Sequence, residues 1–164
     1  MNAILVRAAA LVLVALVAGC ANFSRIEVGD HEDAVVDRVG RPQTVWKNPD
    51  GSEIWQFPQG FFATETFIVT LGPDRTVQRV HNALSEPYFS MIQPGMSQDD
   101  VFRILGAPRE VWRFPARNEE TWTWRFKDTN FMLFNVLFDQ STGKVRSTQR
   151  LQEVTVPDRG GRRR

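Results

Sequence analysis

The chain has 164 residues, 42% hydrophobic and 24% charged. That balance excludes an intrinsically disordered protein and suits one ordinary domain or two very small ones. Twenty Lys and Arg stand against 19 Asp and Glu, and only Arg7 of these lies in residues 1–19. The rest is therefore electrically neutral, which excludes a strongly steered nucleic-acid binder or a site for acidic substrates.

Residues 1–19 read as a signal peptide. Arg7 is the single charge, an uncharged run follows from Ala8 to Leu16, and small residues close it at Val17-Ala18-Gly19 before Cys20. The run is short for a membrane span, which needs ~20 residues. A transmembrane anchor and an ordinary cleaved signal are the alternatives. Val17-Ala18-Gly19-Cys20 resembles the lipobox of bacterial lipoproteins. The resemblance implies cleavage between Gly19 and Cys20 and acylation (palmitate) of Cys20, whose thiol accepts a diacylglyceryl group as a thioether. Cys20 is the sole cysteine, so no intramolecular disulfide is available. Ala21, not Asp, follows it, which by the same resemblance implies the outer membrane, facing the periplasm. Several acyl chains together anchor stably where one does not.

After Cys20 the chain repeats itself. Residues 23–46 and 89–112 align without gaps at an offset of 66, with ten identical pairs. Among them are Phe23/Phe89, Gly29/Gly95, Gly40/Gly106, Pro42/Pro108 and Trp46/Trp112. Two copies of one folding unit are expected, a first over 20–84 and a second over 85–154.

Within each copy, Phe23–Ile26 and its counterpart predict one short helical turn, and a bend follows at Gly29 and Gly95. Val35, Val36 and Val39 mark one face of a first helix; Val101, Phe102 and Leu105 mark the same face of a second. Ser97 is the expected N-cap of the second with Asp100 closing a capping box, and Asp30 with Asp33 is expected to do the same for the first. Gly40 and Gly106 are expected to end these helices in a left-handed conformation, with Pro two residues later. Strands follow. Glu53–Phe57 is matched to Trp122–Phe126, Phe67–Leu71 to Phe134–Phe138, and Thr76–Val80 to Lys144–Thr148. Val45-Trp46 and Val111-Trp112 add short edge strands. The expected fold is α+β, a tandem of helix-helix on a three- or four-stranded antiparallel sheet. Residues 155–164 form a basic tail, expected to be disordered, whose arginines are either simply solvated or touch anionic head groups.

The run Gln93-Pro94-Gly95-Met96-Ser97 to Val101, then Leu105-Gly106-Ala107-Pro108, an aromatic strand and Leu133–Asp139 resembles the SmpA/OmlA family of outer-membrane lipoproteins. That family includes BamE of the β-barrel assembly machine. The resemblance implies two helices on an antiparallel sheet, no enzymatic activity, and an accessory or scaffold role in outer-membrane protein assembly or envelope integrity. Two such units in tandem resemble the secreted β-lactamase inhibitor proteins. The alternative is thus an inhibitor-like lipoprotein that binds another envelope protein or enzyme.

The residues themselves show no catalytic constellation, metal site, cofactor motif or small-molecule site. His31 with Glu32 and Asp33 sits at a helix start, where successive side chains diverge and acidic residues suit the helix dipole. Asp99-Asp100 is explained by capping. The candidates for contact with a partner or the membrane are therefore Phe61 and Phe62, aromatic residues in an interstrand loop, unless that loop folds back over a sheet. Arg125 is the third candidate. Trp122, Trp124 and Phe126 alternate onto one face and are expected in the core, which puts Thr123 and Arg125 on the opposite, accessible face. The five tryptophans are expected to be mostly core.

Overall fold

A computed structural model describes residues 23–59 and 64–153. Gly19 and Cys20, Phe61 and Phe62, and the basic tail lie outside the described residues.

The architecture is α+β with two four-stranded antiparallel sheets. A 3-10 turn at Phe23–Arg25 leads to helix α1 (Glu32–Val39). Strands β1 (Thr44–Lys47), β2 (Glu53–Gln59), β3 (Glu65–Leu71) and β4 (Val77–Asn82) then form the first sheet in chain order. Helix α2 (Glu86–Phe89) and helix α3 (Gln98–Leu105) follow. The second sheet is β5 (Glu110–Phe114), β6 (Glu119–Lys127), β7 (Phe131–Asp139) and β8 (Lys144–Gln152), again in chain order.

Helix α1 is short and valine-rich, so it depends on packing rather than propensity. It buries Val35 completely against Trp55, Val69 and Leu71 of the first sheet, and Phe23 closes that core by stacking on Phe67. Helix α3 is better specified. Ser97 and Asp100 form a reciprocal capping box, and Val101 and Leu105 are buried on Trp124, Phe134 and Val136. The cap of α1 differs from expectation. His31, not Asp30, is the N-cap and accepts the Asp33 N–H. The Asp30 carboxylate is taken instead by the Glu27 N–H and Arg38.

The helix ends are also refined. Gly40 has φ 84° with ψ −172°, and Gly106 φ 80° with ψ −170°. Positive φ is present as expected, but extended ψ replaces the left-handed helical value. That region is essentially reserved for glycine.

Three layers of contact follow along the molecule. Helix α1 lies on one face of the first sheet. Helix α3 lies between the sheets, its Val101 and Leu105 toward the second and its Phe102 toward the first. This leaves Gln56 at 2% exposure and Ile68 at 3%, both on the face of the first sheet that α1 does not cover. Among the described residues, no helix lies over the far face of the second sheet.

The strand match between the halves also shifts. Trp46 pairs with Ile54 and Trp112 with Thr121. The counterpart of Glu53-Ile54-Trp55 is therefore Glu120-Thr121-Trp122, two residues earlier than the sequence match of Trp55 with Trp124. Side-chain chemistry agrees. Trp55 donates its indole N–H to Glu53 and Trp122 donates to Glu120, each at 2.7 Å. A shift of two keeps every side chain on its face, so the in/out pattern is unaffected.

Candidate binding face

Strand alternation generates the open face of the second sheet. From β5 it takes Glu110, Trp112 and Phe114; from β6, Thr121, Thr123 and Arg125. Strands β7 and β8 add Leu133, Asn135 and Leu137, and Gln149 and Leu151. A bulge at Leu137/Phe138 re-aims β8 here. All of these except Arg125 and Leu151 line a shallow concavity of about 440 Å³.

The face is apolar at its margins. Trp112 is 57% exposed, Leu151 49% and Phe114 37%. Large exposed hydrophobics grouped on one face, rather than scattered, mark an interaction surface. The Trp112 indole donates to Glu110 at 3.1 Å, and Glu110 also meets Arg109 at 3.3 Å. The Arg117 guanidinium lies 4.4 Å over the Phe114 ring. At the floor, Asn135 is 8% exposed and its Oδ1 has no hydrogen-bond partner among the described residues.

The expectation for Arg125 is corrected here. It is on the predicted face, but it is only 7% exposed. Its Nη2 lies 2.6 Å from Glu153 and its guanidinium 3.8 Å over Phe131. A charge so paired and stacked is a structural clamp between β6 and the end of β8, not a free contact residue. Trp112 is corrected in the other direction, from core to surface. The signal was the alternation Glu110-x-Trp112-x-Phe114, which places both aromatics with a surface glutamate on an edge strand. Phe61 and Phe62 lie outside the described residues.

The same face of the first sheet is closed by the chain itself. Phe102 of α3 meets Trp46 edge-on at 5.6 Å, and the Arg103 guanidinium lies 4.6 Å over the same indole. Gln56 Nε2 donates to the Phe102 carbonyl at 2.9 Å, and Arg103 donates to Asn48 at 3.2 Å. Beside them His81 stacks on Tyr88 at 4.1 Å. Burial, with Arg79 adding repulsion, pushes the His81 imidazole down to about 4.

One buried carboxylate sits at the helix-facing edge of each sheet, Glu53 in the first and Glu120 in the second. Glu53 is held below its ordinary value by the Trp55 N–H, against the cost of burial, with Lys47 and Arg75 assisting. Burial raises Glu120, but its bonds from Trp122, Arg113 and Gln98 outweigh that and lower it. Both are fully engaged in ion pairs and hydrogen bonds, an arrangement that holds structure. Among the described residues no cluster of His, Asp and Glu is arranged to hold a metal ion, and no helix is long and apolar enough to cross a membrane.

No protein-family model matches the chain, and no curated protein matches it. Among solved structures it is similar to a protein provisionally assigned as the osmotically inducible lipoprotein OsmE. The two are 32% identical, over 42% of this chain and 72% of that one, with a TM-score of 0.37. It is also similar to a provisionally assigned β-lactamase inhibitor protein from Streptococcus mutans, at 13% identity over 79% of this chain and 92% of that one, TM-score 0.30. An extracellular SCP-domain protein from Bacillus anthracis str. Ames is 11% identical over 80% of this chain and 47% of that one, TM-score 0.31.

Proposed function

We propose that this chain is a lipid-anchored envelope protein that works by binding another envelope protein rather than by catalysis. The observation that carries the reading is the uncovered face of the second sheet, with Trp112, Phe114 and Leu151 exposed on it. Its counterpart on the first sheet is buried by the chain's own helix. A face of threonines, leucines and aromatics has the composition of a contact surface and lacks the paired nucleophile and base that catalysis needs.

The anchor is acyl chain on Cys20 after cleavage behind Gly19, and Ala21 supports the outer membrane, facing the periplasm. The two halves, 20–84 and 85–154, are copies of one SmpA/OmlA-like unit. Support for the duplication comes from matched closures of each half. The Gly29 N–H donates to the Val77 carbonyl and the Val77 N–H to the Asp30 carbonyl, as the Gly95 N–H donates to the Val145 carbonyl and the Val145 N–H to the Met96 carbonyl. The role so supported is an accessory or scaffold in outer-membrane protein assembly or envelope integrity, with the β-barrel assembly machine as the expected partner. The concave open sheet favours a second reading, an inhibitor-like binder of a periplasmic enzyme.

Mass spectrometry of the protein from membranes should show acyl chains on an N-terminal Cys20. Affinity purification from detergent-solubilised membranes should recover the central barrel of the assembly machine. Recovery of a soluble enzyme instead would select the second reading, and an unmodified chain still starting at Met1 would sink the lipoprotein reading.

A further inference from the structure

The first sheet shows what chemistry this kind of face accepts. Its Trp46 is covered by two successive helical residues, Phe102 edge-on and Arg103 over the ring. Trp112 occupies the corresponding place on the second sheet, in an edge strand paired in the same way, and is 57% exposed. The second face is better disposed to a cation than the first. Glu110 stands beside Trp112 where Thr44 stands beside Trp46, and Arg117 over Phe114 shows that its aromatics already accept a guanidinium. On the floor, Asn135 Oδ1 has no partner among the described residues and is able to accept a hydrogen bond.

We propose that the open face of the second sheet seats an amphipathic helix of a partner protein, through an aromatic residue followed by an arginine set on Trp112 and Glu110. This rests on the reading of that face as a binding surface, but not on lipidation or on which envelope protein is bound. The geometry argues against a second copy of this chain as the occupant. In α1 the residues at the places of Phe102 and Arg103 are Val36 and Asp37, since the Gly40 and Gly106 N–H groups close on the Val36 and Phe102 carbonyls. Asp37 would bring a carboxylate to the indole face and to Glu110, which repel it.

The test uses the full chain in detergent, lipidated or not, with its five tryptophans replaced by 5-fluorotryptophan and their fluorine signals assigned by single Trp→Phe variants. The probe is a helix-stabilised peptide of residues 97–105. Its Val101 and Leu105, which face the second core, are replaced by Gln and Lys. The expected result is a saturable shift of the Trp112 signal, weakened about tenfold or more when the peptide's Phe102 or Arg103 becomes Ala. Glu110→Gln in the protein should weaken it too, with the melting temperature unchanged. No shift at Trp112, or an equal shift with the two Ala peptides, overturns the proposal. So does a Trp112 signal that moves with protein concentration alone, on transfer to lipid nanodiscs, or on removal of residues 154–164. Those results assign the face to a second copy, the membrane or the chain's own tail. Failure of lipidation leaves this experiment intact, so the two readings fail separately.

Discussion

Gln56, in the middle of the first sheet, donates its side-chain amide to the backbone carbonyl of Phe102 in α3, 2.9 Å away and 2% exposed. The same carbonyl also accepts the Gly106 N–H at 2.8 Å. Removing the amide therefore does not orphan the acceptor. Gln56→Leu, which keeps most of the volume, should cost about 1 kcal/mol. Gln56→Ala adds a cavity between the halves and should cost about 2–4 kcal/mol. Urea denaturation of both variants checks this; equal costs would mean that packing at this position is unimportant.

Gly40 and Gly106 share a backbone conformation but not a neighbourhood. A Cβ at Gly40 meets nothing within 4 Å, whereas one at Gly106 would lie 2.9 Å from Thr66 Cγ2. Gly40→Ala should cost about 1–3 kcal/mol from strain alone, and Gly106→Ala should cost more. Thr66→Ser removes the obstructing methyl group and should recover part of the loss at Gly106 but none at Gly40. A double-mutant cycle on thermal melts measures the difference.

Two tryptophans of one sheet should respond in opposite ways. Trp124 is 1% exposed, its indole donating to the Gly106 carbonyl at 3.3 Å. Trp124→Ala should lower stability by about 3–5 kcal/mol. Trp112→Ala should change stability by less than about 0.5 kcal/mol. A large loss of stability on the second substitution would make Trp112 a structural residue.

Trp46, Trp112 and Arg125 mark what the sequence discloses of the fold and where tertiary packing takes over. The internal match at offset 66 placed Trp46 and Trp112 at equivalent positions, and the structure puts both on first strands of their sheets. It could not say that Phe102 and Arg103 cover one and leave the other open, because that depends on how two sheets share one helix. For Arg125 the face was legible from alternation, but the burial was not. Phe131 comes from the start of the next strand across the β6–β7 turn, and Glu153 from just beyond β8, and alternation along β6 alone discloses neither. The strand match slipped by two because Trp-x-Phe at 55–57 resembles Trp-x-Phe at 124–126. The buried Glu-x-Trp pair, an indole donating to a carboxylate two residues back, was the stronger guide.

Stability should fall in two stages on acidification. His81 has its folded pKa pushed down to about 4 from an ordinary 6.5. The unfolded chain therefore binds its proton first, and stability is lost as pH falls from 6.5 toward 4. Glu53, Glu120 and Asp139 are all held below the ordinary carboxylate range. Their contribution is present above that range and is lost only as pH falls through it to the lower folded values. His81→Phe should flatten the first stage and leave the second. Melting temperatures across the range test this, and an unchanged slope between pH 6.5 and 4 in the variant would contradict it.

An envelope partner bound through the open face of the second sheet would lie against Trp112. Photo-crosslinking in intact cells tests it most directly, with a benzophenone amino acid placed at Trp112 and, as a control, at Val28, which is 74% exposed in the first half. The prediction is an adduct from position 112 whose crosslinked peptide maps to one segment of one envelope protein, absent from position 28. Adducts at 28 and none at 112, or diffuse adducts of equal yield at both, would contradict it.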